Sequence, residues 1–202
     1  MALVGLGLIP DESIVTALIT FRQRWEGSIG GPMLGTQSNI PHISMYQFPS
    51  DDPANLLIPE SLGPPTGSFL HWTQLAYQPV GWIFANVARE DWIDNYQALV
   101  VQSLLPQLDH RLLQEKEELV GYSDKEKENY LRFGYKYVAD EFRPHVTLGR
   151  TNDNQTSVPR ECIDDFGRQP FTKERIPLSK VVLYRAGPLG ELVEVMHTLF
   201  IL

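Results

Sequence analysis

The runs Ile176-Pro177-Leu178-Ser179-Lys180-Val181-Val182-Leu183-Tyr184-Arg185 and Glu191-Leu192-Val193-Glu194-Val195-Met196-His197-Thr198-Leu199-Phe200-Ile201-Leu202 flank Gly187-Pro188-Leu189-Gly190. Two β-rich stretches around turn residues read as an antiparallel hairpin that ends the chain. Upstream, Ser68 to Tyr77 and Trp82 to Val87 flank Gln78-Pro79-Val80-Gly81 and form a second hairpin. Between the hairpins, Arg143-Pro144-His145-Val146-Thr147-Leu148-Gly149-Arg150 has strand character. So does Pro41-His42-Ile43-Ser44-Met45-Tyr46, delivered by a loop that Gly27, Gly30, Gly31, Pro32 and Gly35 punctuate. The apolar start Leu3-Val4-Gly5-Leu6-Gly7-Leu8-Ile9 lacks a basic n-region and stops at Pro10-Asp11-Glu12, so it reads as a buried strand and not as a secretion signal.

Helices interleave with these strands. Asp11 can cap a helix whose apolar positions Ile14, Val15, Leu18, Ile19 and Trp25 recur at three- and four-residue steps. A second starts near Asp91 with Trp92, Ile93, Tyr96, Leu99, Val100, Leu104 and Leu108 on one stripe and Pro106 near its end. Ser123 and Glu126 form a capping-box signature for a third, through Tyr130 or Phe133, within a charge-dense stretch of about 110–141 that reads as a helical insert. Hairpins with few long crossovers predict antiparallel sheet with helices on one face, which in a bilobal arrangement are helices packed on the outside, an α+β class in a single domain over residues 1–202.

With 202 residues, 43% of them apolar, the chain is long enough for a sizeable core. A net charge of −8 supplies no general positive field for a long nucleic-acid backbone, so a nucleotide substrate is expected to be small or gripped locally. The lone Cys162 excludes an internal disulfide and fits a reducing compartment. No stretch approaches the ~18 apolar residues of a membrane span. A cytoplasmic monomer without membrane partners is expected.

In His42-Ile43-Ser44 and His145-Val146-Thr147, strand alternation puts imidazole and hydroxyl on one face and the aliphatic residue on the other. Two such strands side by side would present two imidazoles and two hydroxyls to a common cleft. Phosphodiester cleavage needs a base, an acid and donors for the phosphorane oxygens, which this set supplies. Two histidines without a third ligand at suitable spacing make a poor metal site, so neither metal nor cofactor is expected. With 21 Ser and Thr in the chain, a histidine meets His-apolar-hydroxyl-apolar by chance about 2% of the time. Both histidines also follow a proline. His71-Trp72-Thr73 continues with Gln74, which breaks the apolar face, so His71 reads as a half-exposed strand residue paired with a cross-strand neighbour; His110 and His197 carry no such pattern.

Pro41-His42-Ile43-Ser44 and Pro144-His145-Val146-Thr147-Leu148-Gly149-Arg150 together resemble the paired signature of the two-histidine (2H) phosphoesterase superfamily, which includes 2'-5' RNA ligase-like proteins and cyclic and 2'-5' phosphodiesterases. The likeness extends over nearly the whole chain, from the opening strand to Val181-Val182-Leu183-Tyr184. It implies two pseudo-symmetric antiparallel β-sheet lobes with a central cleft, His42 and His145 as acid and base, and Ser44 and Thr147 as phosphate ligands. Ser44 departs from the more usual threonine, and the charged insert leaves the substrate open.

Further substrate-binding candidates are Tyr46, which alternation places with His42 and Ser44; Arg150, which needs a bulge or strand end to turn inward; and Tyr135 and Tyr137, in a basic-aromatic cluster with Tyr130, Arg132, Phe133 and Lys136. The expected function is a metal-independent phosphodiesterase acting on a small cyclic or 2'-5' linked nucleotide. The alternatives are RNA 2'-5' ligation or processing of short RNA ends, a non-catalytic nucleotide-binding module, and a plain interaction protein using the charged helix.

Overall fold

Residues Ala2–Pro10 form β1, and its apolar run is explained by its neighbours: β3 (Ile43–Ser50) pairs along one edge and β7 (Arg175–Ala186) along the other. The computed structural model describes residues 2–78, 81–113, 119, 121–151, 157–188 and 190–202. β7 also pairs with β8 (Leu192–Ile201), and its first residues pair with β4 (Phe69–Tyr77) through Phe69↔Pro177, Leu70↔Ile176 and His71↔Arg175. From β4 the pairing continues to β5 (Trp82–Val87) and then to β6 (His145–Thr151), which also takes the short β2 (Ile29–Gly30). A single bridge, Ile43↔Val146, joins β3 to β6. All these pairings are antiparallel, and the described residues form one eight-stranded sheet.

Four α-helices accompany the sheet among the described residues: α1 (Glu12–Arg24), α2 (Asp91–Leu104), α3 (Asp124–Phe133) and α4 (Arg160–Arg168). The expected α+β class is observed. Asp11 caps α1 by accepting the Ser13 N–H, and the Ser123/Glu126 capping box at α3 is formed in both halves. The short α4 and β2 carried no signal that sequence reasoning used. In the stretch expected as a helical insert, α3 is the one α-helix among the described residues; 3-10 turns at His110–Leu112 and Ala139–Glu141 flank it, and 114–118 and 120 lie outside the described residues. Pro79, Val80 and Leu189, assigned to hairpin turns, also lie outside them.

Ile43 and Val146 have no solvent exposure. A one-residue slip of either strand would exchange such a side chain for a polar one, and burial of an aliphatic side chain is worth about 1.5–3 kcal/mol, so the core fixes which face the histidines occupy. Each motif strand then gains one residue. On β3 the partners of Leu6 and Gly7 are Tyr46 and Ser44, which places a bulge at Met45. On β6 the partners of Ile83 and Phe84 are Gly149 and Thr147, which places one at Leu148.

The β6 bulge is held from behind. Arg22 of α1, only 1% exposed, donates from Nε to the Leu148 carbonyl at 2.9 Å. Its burial lowers its pKa, a cost that the bond to the Leu148 carbonyl partly offsets. Gly149, at φ 150°, follows the bulge, and a Cβ there would lie 2.4 Å from the Gly30 carbonyl oxygen. Gly149→Ala is therefore expected to destabilise the protein by about 2–4 kcal/mol. Urea unfolding measures this, and an unchanged midpoint would contradict the close approach.

Candidate active site

A cavity of about 920 Å³ is lined by His42, Ser44, His145 and Thr147 together. The bridge Ile43↔Val146 explains the grouping: continuing its antiparallel register sets His42 across from Thr147 and Ser44 across from His145. With the two bridge residues in the core, all four polar side chains fall on the other face. The volume lies in the upper part of the ~300–1,000 Å³ range of small-molecule sites.

The two imidazoles are held alike. His42 Nδ1 lies 2.7 Å from the Ile40 carbonyl oxygen, and His145 Nδ1 lies 2.6 Å from that of Arg143. A carbonyl only accepts, so each Nδ1 carries the proton and donates it, which leaves Nε2 as the lone-pair nitrogen of the neutral ring. The prolines gain a role here. Pro41 and Pro144 bias Ile40 and Arg143 to extended backbone, and those residues supply the two accepting carbonyls. His42 packs edge-on against Tyr184 at 4.8 Å, and His145 stacks on Phe84 at 3.7 Å.

Burial pushes both rings down to a pKa of about 4, and for His145 the charges of His42, Lys136 and Arg143 lower it further. Both imidazoles are thus neutral near pH 7 in the free protein, and their mutual repulsion favours a single shared proton over two.

The Ser44 hydroxyl is oriented from below. Gln47 Nε2 donates to Tyr184 OH at 2.8 Å and to the Gly190 carbonyl at 3.1 Å. Tyr184 OH, which burial holds at a pKa of about 12, lies 2.8 Å from Ser44 Oγ, and either hydroxyl can donate in this bond. Room for the Tyr184 ring comes from β1, where a Cβ on Gly5 would lie 2.2 Å from the ring and one on Gly7 3.1 Å from it. Gly5 and Gly7 alternate along a strand and so clear one face.

The bulges decide the remaining candidates. Tyr46 was expected beside His42 and Ser44; instead the bulge at Met45 turns it into the core, fully buried, with its OH donating to the Phe133 carbonyl. Gln47 takes the cavity-facing place. The bulge at Leu148 works the other way for Arg150, which lines the cavity and lies 5.0 Å above the Trp82 ring. Tyr135 and Tyr137 line it as well, with Tyr130 and Lys136, whereas Arg132 packs over Phe133. His71 pairs with Glu90 at 2.7 Å, away from the cavity. Sequence reasoning missed Gln47, Trp82, Phe84 and Tyr184. A usable signal existed: Ser44 and Gln47 stand two and five residues after His42, as Thr147 and Arg150 do after His145.

Among the described residues no group of three His, Cys, Asp or Glu is placed to hold a metal ion, and no helix is long and apolar enough to cross a membrane. A comparison with protein-family models finds no match. A comparison with curated proteins finds none either. The site is therefore read from its own geometry.

The depressed pKa values carry a sign. Between about pH 6.5 and 4 the unfolded chain binds more protons than the folded one, so this contribution is complete above pH 6.5 and is lost as pH falls through that window. For His42 the loss is on the order of 2–3 kcal/mol by pH 4.5. Urea unfolding at pH 7 and 4.5 should show a smaller drop in His42→Asn than in the parent. Equal drops would contradict the buried, neutral imidazole.

Proposed function

We propose that the chain is a metal-independent phosphodiesterase of the 2H type, acting on a small cyclic or 2'-5' linked nucleotide. The observation that carries this reading is the matched pair of imidazoles, each with Nδ1–H bound to the carbonyl two residues upstream and each joined by a hydroxyl in one cavity. The finer architecture follows the same reading: β8-β7-β1-β3 and β4-β5-β6 are two lobes, each contributing one His-x-Ser/Thr strand to the cleft between them. The buried single thiol, Cys162, fits a cytoplasmic address.

The substrate phosphate binds to the hydroxyls of Ser44 and Thr147, with the Arg150 guanidinium balancing its charge. Its negative charge raises the affinity of the imidazole pair for a proton, so one ring becomes charged on binding. The neutral ring takes, at Nε2, the proton of the attacking water or ribose hydroxyl. The new P–O bond forms while the charged ring gives its proton to the leaving oxygen, and the P–O bond to that oxygen breaks. One proton enters and one leaves the pair. The hydroxyls and Arg150 hold the phosphorane oxygens as charge grows.

Turnover is measured with 2',3'-cyclic, 3',5'-cyclic and 2'-5' linked nucleotides in the presence of EDTA. At least one substrate should be cleaved, and His42→Ala or His145→Ala should each reduce the rate by about 10²–10⁴-fold. No cleavage of any substrate, or variants as active as the parent, would sink the assignment. In the pH profiles, the alkaline limb of kcat should lie above that of kcat/KM, because only the bound phosphate lifts the imidazole pKa from about 4. Coincident limbs would show that ligand charge does not set the protonation state.

A further inference from the structure

His145 lies in the middle of a row of rings. Phe84 stacks on it at 3.7 Å, Trp82 follows at 6.5 Å, and Arg150 lies 5.0 Å over Trp82. Tyr137 also meets it, edge-on at 5.8 Å, and Lys136 Nζ lies 4.7 Å from the Tyr137 ring. The row thus has a cation at each end with a reacting imidazole between them. One phosphodiester at the histidines carries a single negative charge. Arg150 can balance it, which leaves Lys136, on the same cavity lining, without a part in the proposed cleavage.

The setting of Lys136 is built. Its side chain is only 19% exposed, and its ammonium also lies 4.1 Å from the Tyr122 ring. The backbone beneath is pinned by amides: Asn129, 3% exposed, donates to the carbonyls of Lys136 and Val138, and Gln97, also 3% exposed, donates to that of Tyr137. The nearest carboxylate, Glu126 at 3.6 Å, already accepts the Ser123 N–H with its other oxygen as half of the α3 capping box. An ammonium has three donors, and one shared carboxylate does not satisfy them. Burying a cation this far is costly unless an anion meets it.

Lys136 lines the same cavity as the histidines, and its charge is felt at His145. Among the described residues the cavity lining carries Lys136, Arg143, Arg150 and Arg185 beside Glu126, Arg143 pairing with Glu141 and Arg185 with Glu194, in a chain of net charge −8. Cationic side chains grouped on one lining favour anionic ligands. Resting on the phosphoesterase reading above, we propose that Lys136, caged by Tyr122 and Tyr137, forms a second anion subsite that takes a phosphomonoester group elsewhere on the substrate than the bond being cleaved. The preferred substrate then carries a terminal phosphate besides its phosphodiester, and Lys136 sets specificity without acting on the reacting atoms.

Calorimetric titration with adenosine 3',5'-bisphosphate and adenosine 3'-monophosphate tests this without turnover. The parent should bind the bisphosphate about tenfold tighter or more, as expected for one added charge-assisted contact. Lys136→Met should bring the two affinities within about twofold of each other, and Lys136→Arg should keep the gap. Arg150→Met should weaken both ligands alike. Equal affinities in the parent, or a gap that survives in Lys136→Met, overturn the subsite while leaving the nucleotide cleft standing. No binding of either ligand by the parent overturns the nucleotide reading and the subsite with it.

Discussion

One contact organises the site: the antiparallel bridge between Ile43 and Val146. Both side chains are fully buried, so hydrophobic burial fixes the register of the two strands without any polar group taking part. Every antiparallel bridge relates its two partners by a local twofold, and each partner here is preceded by a histidine and followed by a hydroxyl residue. Two imidazoles and two hydroxyls therefore meet on the opposite face as a consequence of core packing. The polar groups of the site are arranged by residues that lie outside it.

Around that contact the site is preorganised in layers. Carbonyls preceding prolines fix the tautomer of each ring, burial keeps both rings neutral, and Tyr184 with Gln47 holds Ser44 Oγ in place. Each device has a cost that the rest of the fold absorbs. Gly5 and Gly7 give up side-chain packing in β1 so that the Tyr184 ring can lie over it, and Arg22 is buried in order to hold the β6 bulge. On the phosphoesterase reading proposed above, a bound phosphate would supply the charge that this neutral pair lacks, so ligand binding and protonation would be linked.

Much of this was legible in the chain. Hairpins, the caps of α1 and α3, and the facing of His42, Ser44, His145 and Thr147 all follow from period-two alternation and turn chemistry, which are local properties. The errors share a cause that is not local. A bulge depends on how two strands that are distant in sequence pair, so alternation carried Tyr46 to the wrong face and gave no sign of Gln47. Arg150 was conditional on a bulge, and Gly149 was the visible clue to one. Tyr184 escaped notice because its function depends on lying across β1 from Ser44, a neighbour far away in sequence. The short α4, with only Cys162 and Phe166 buried, has too little apolar surface to register as a periodic pattern.

The central claim is that both imidazoles reach one ligand. Long-range ¹H–¹⁵N correlation of the histidine side chains, recorded as one equivalent of a nucleoside 3'-monophosphate is added, tests it most directly. Free protein near pH 7 should show His42 and His145 as neutral rings protonated at Nδ1; on saturation both should shift with the same binding isotherm, and one should gain a proton. Movement of one ring alone, or rings protonated at Nε2 before the ligand is added, would contradict the account.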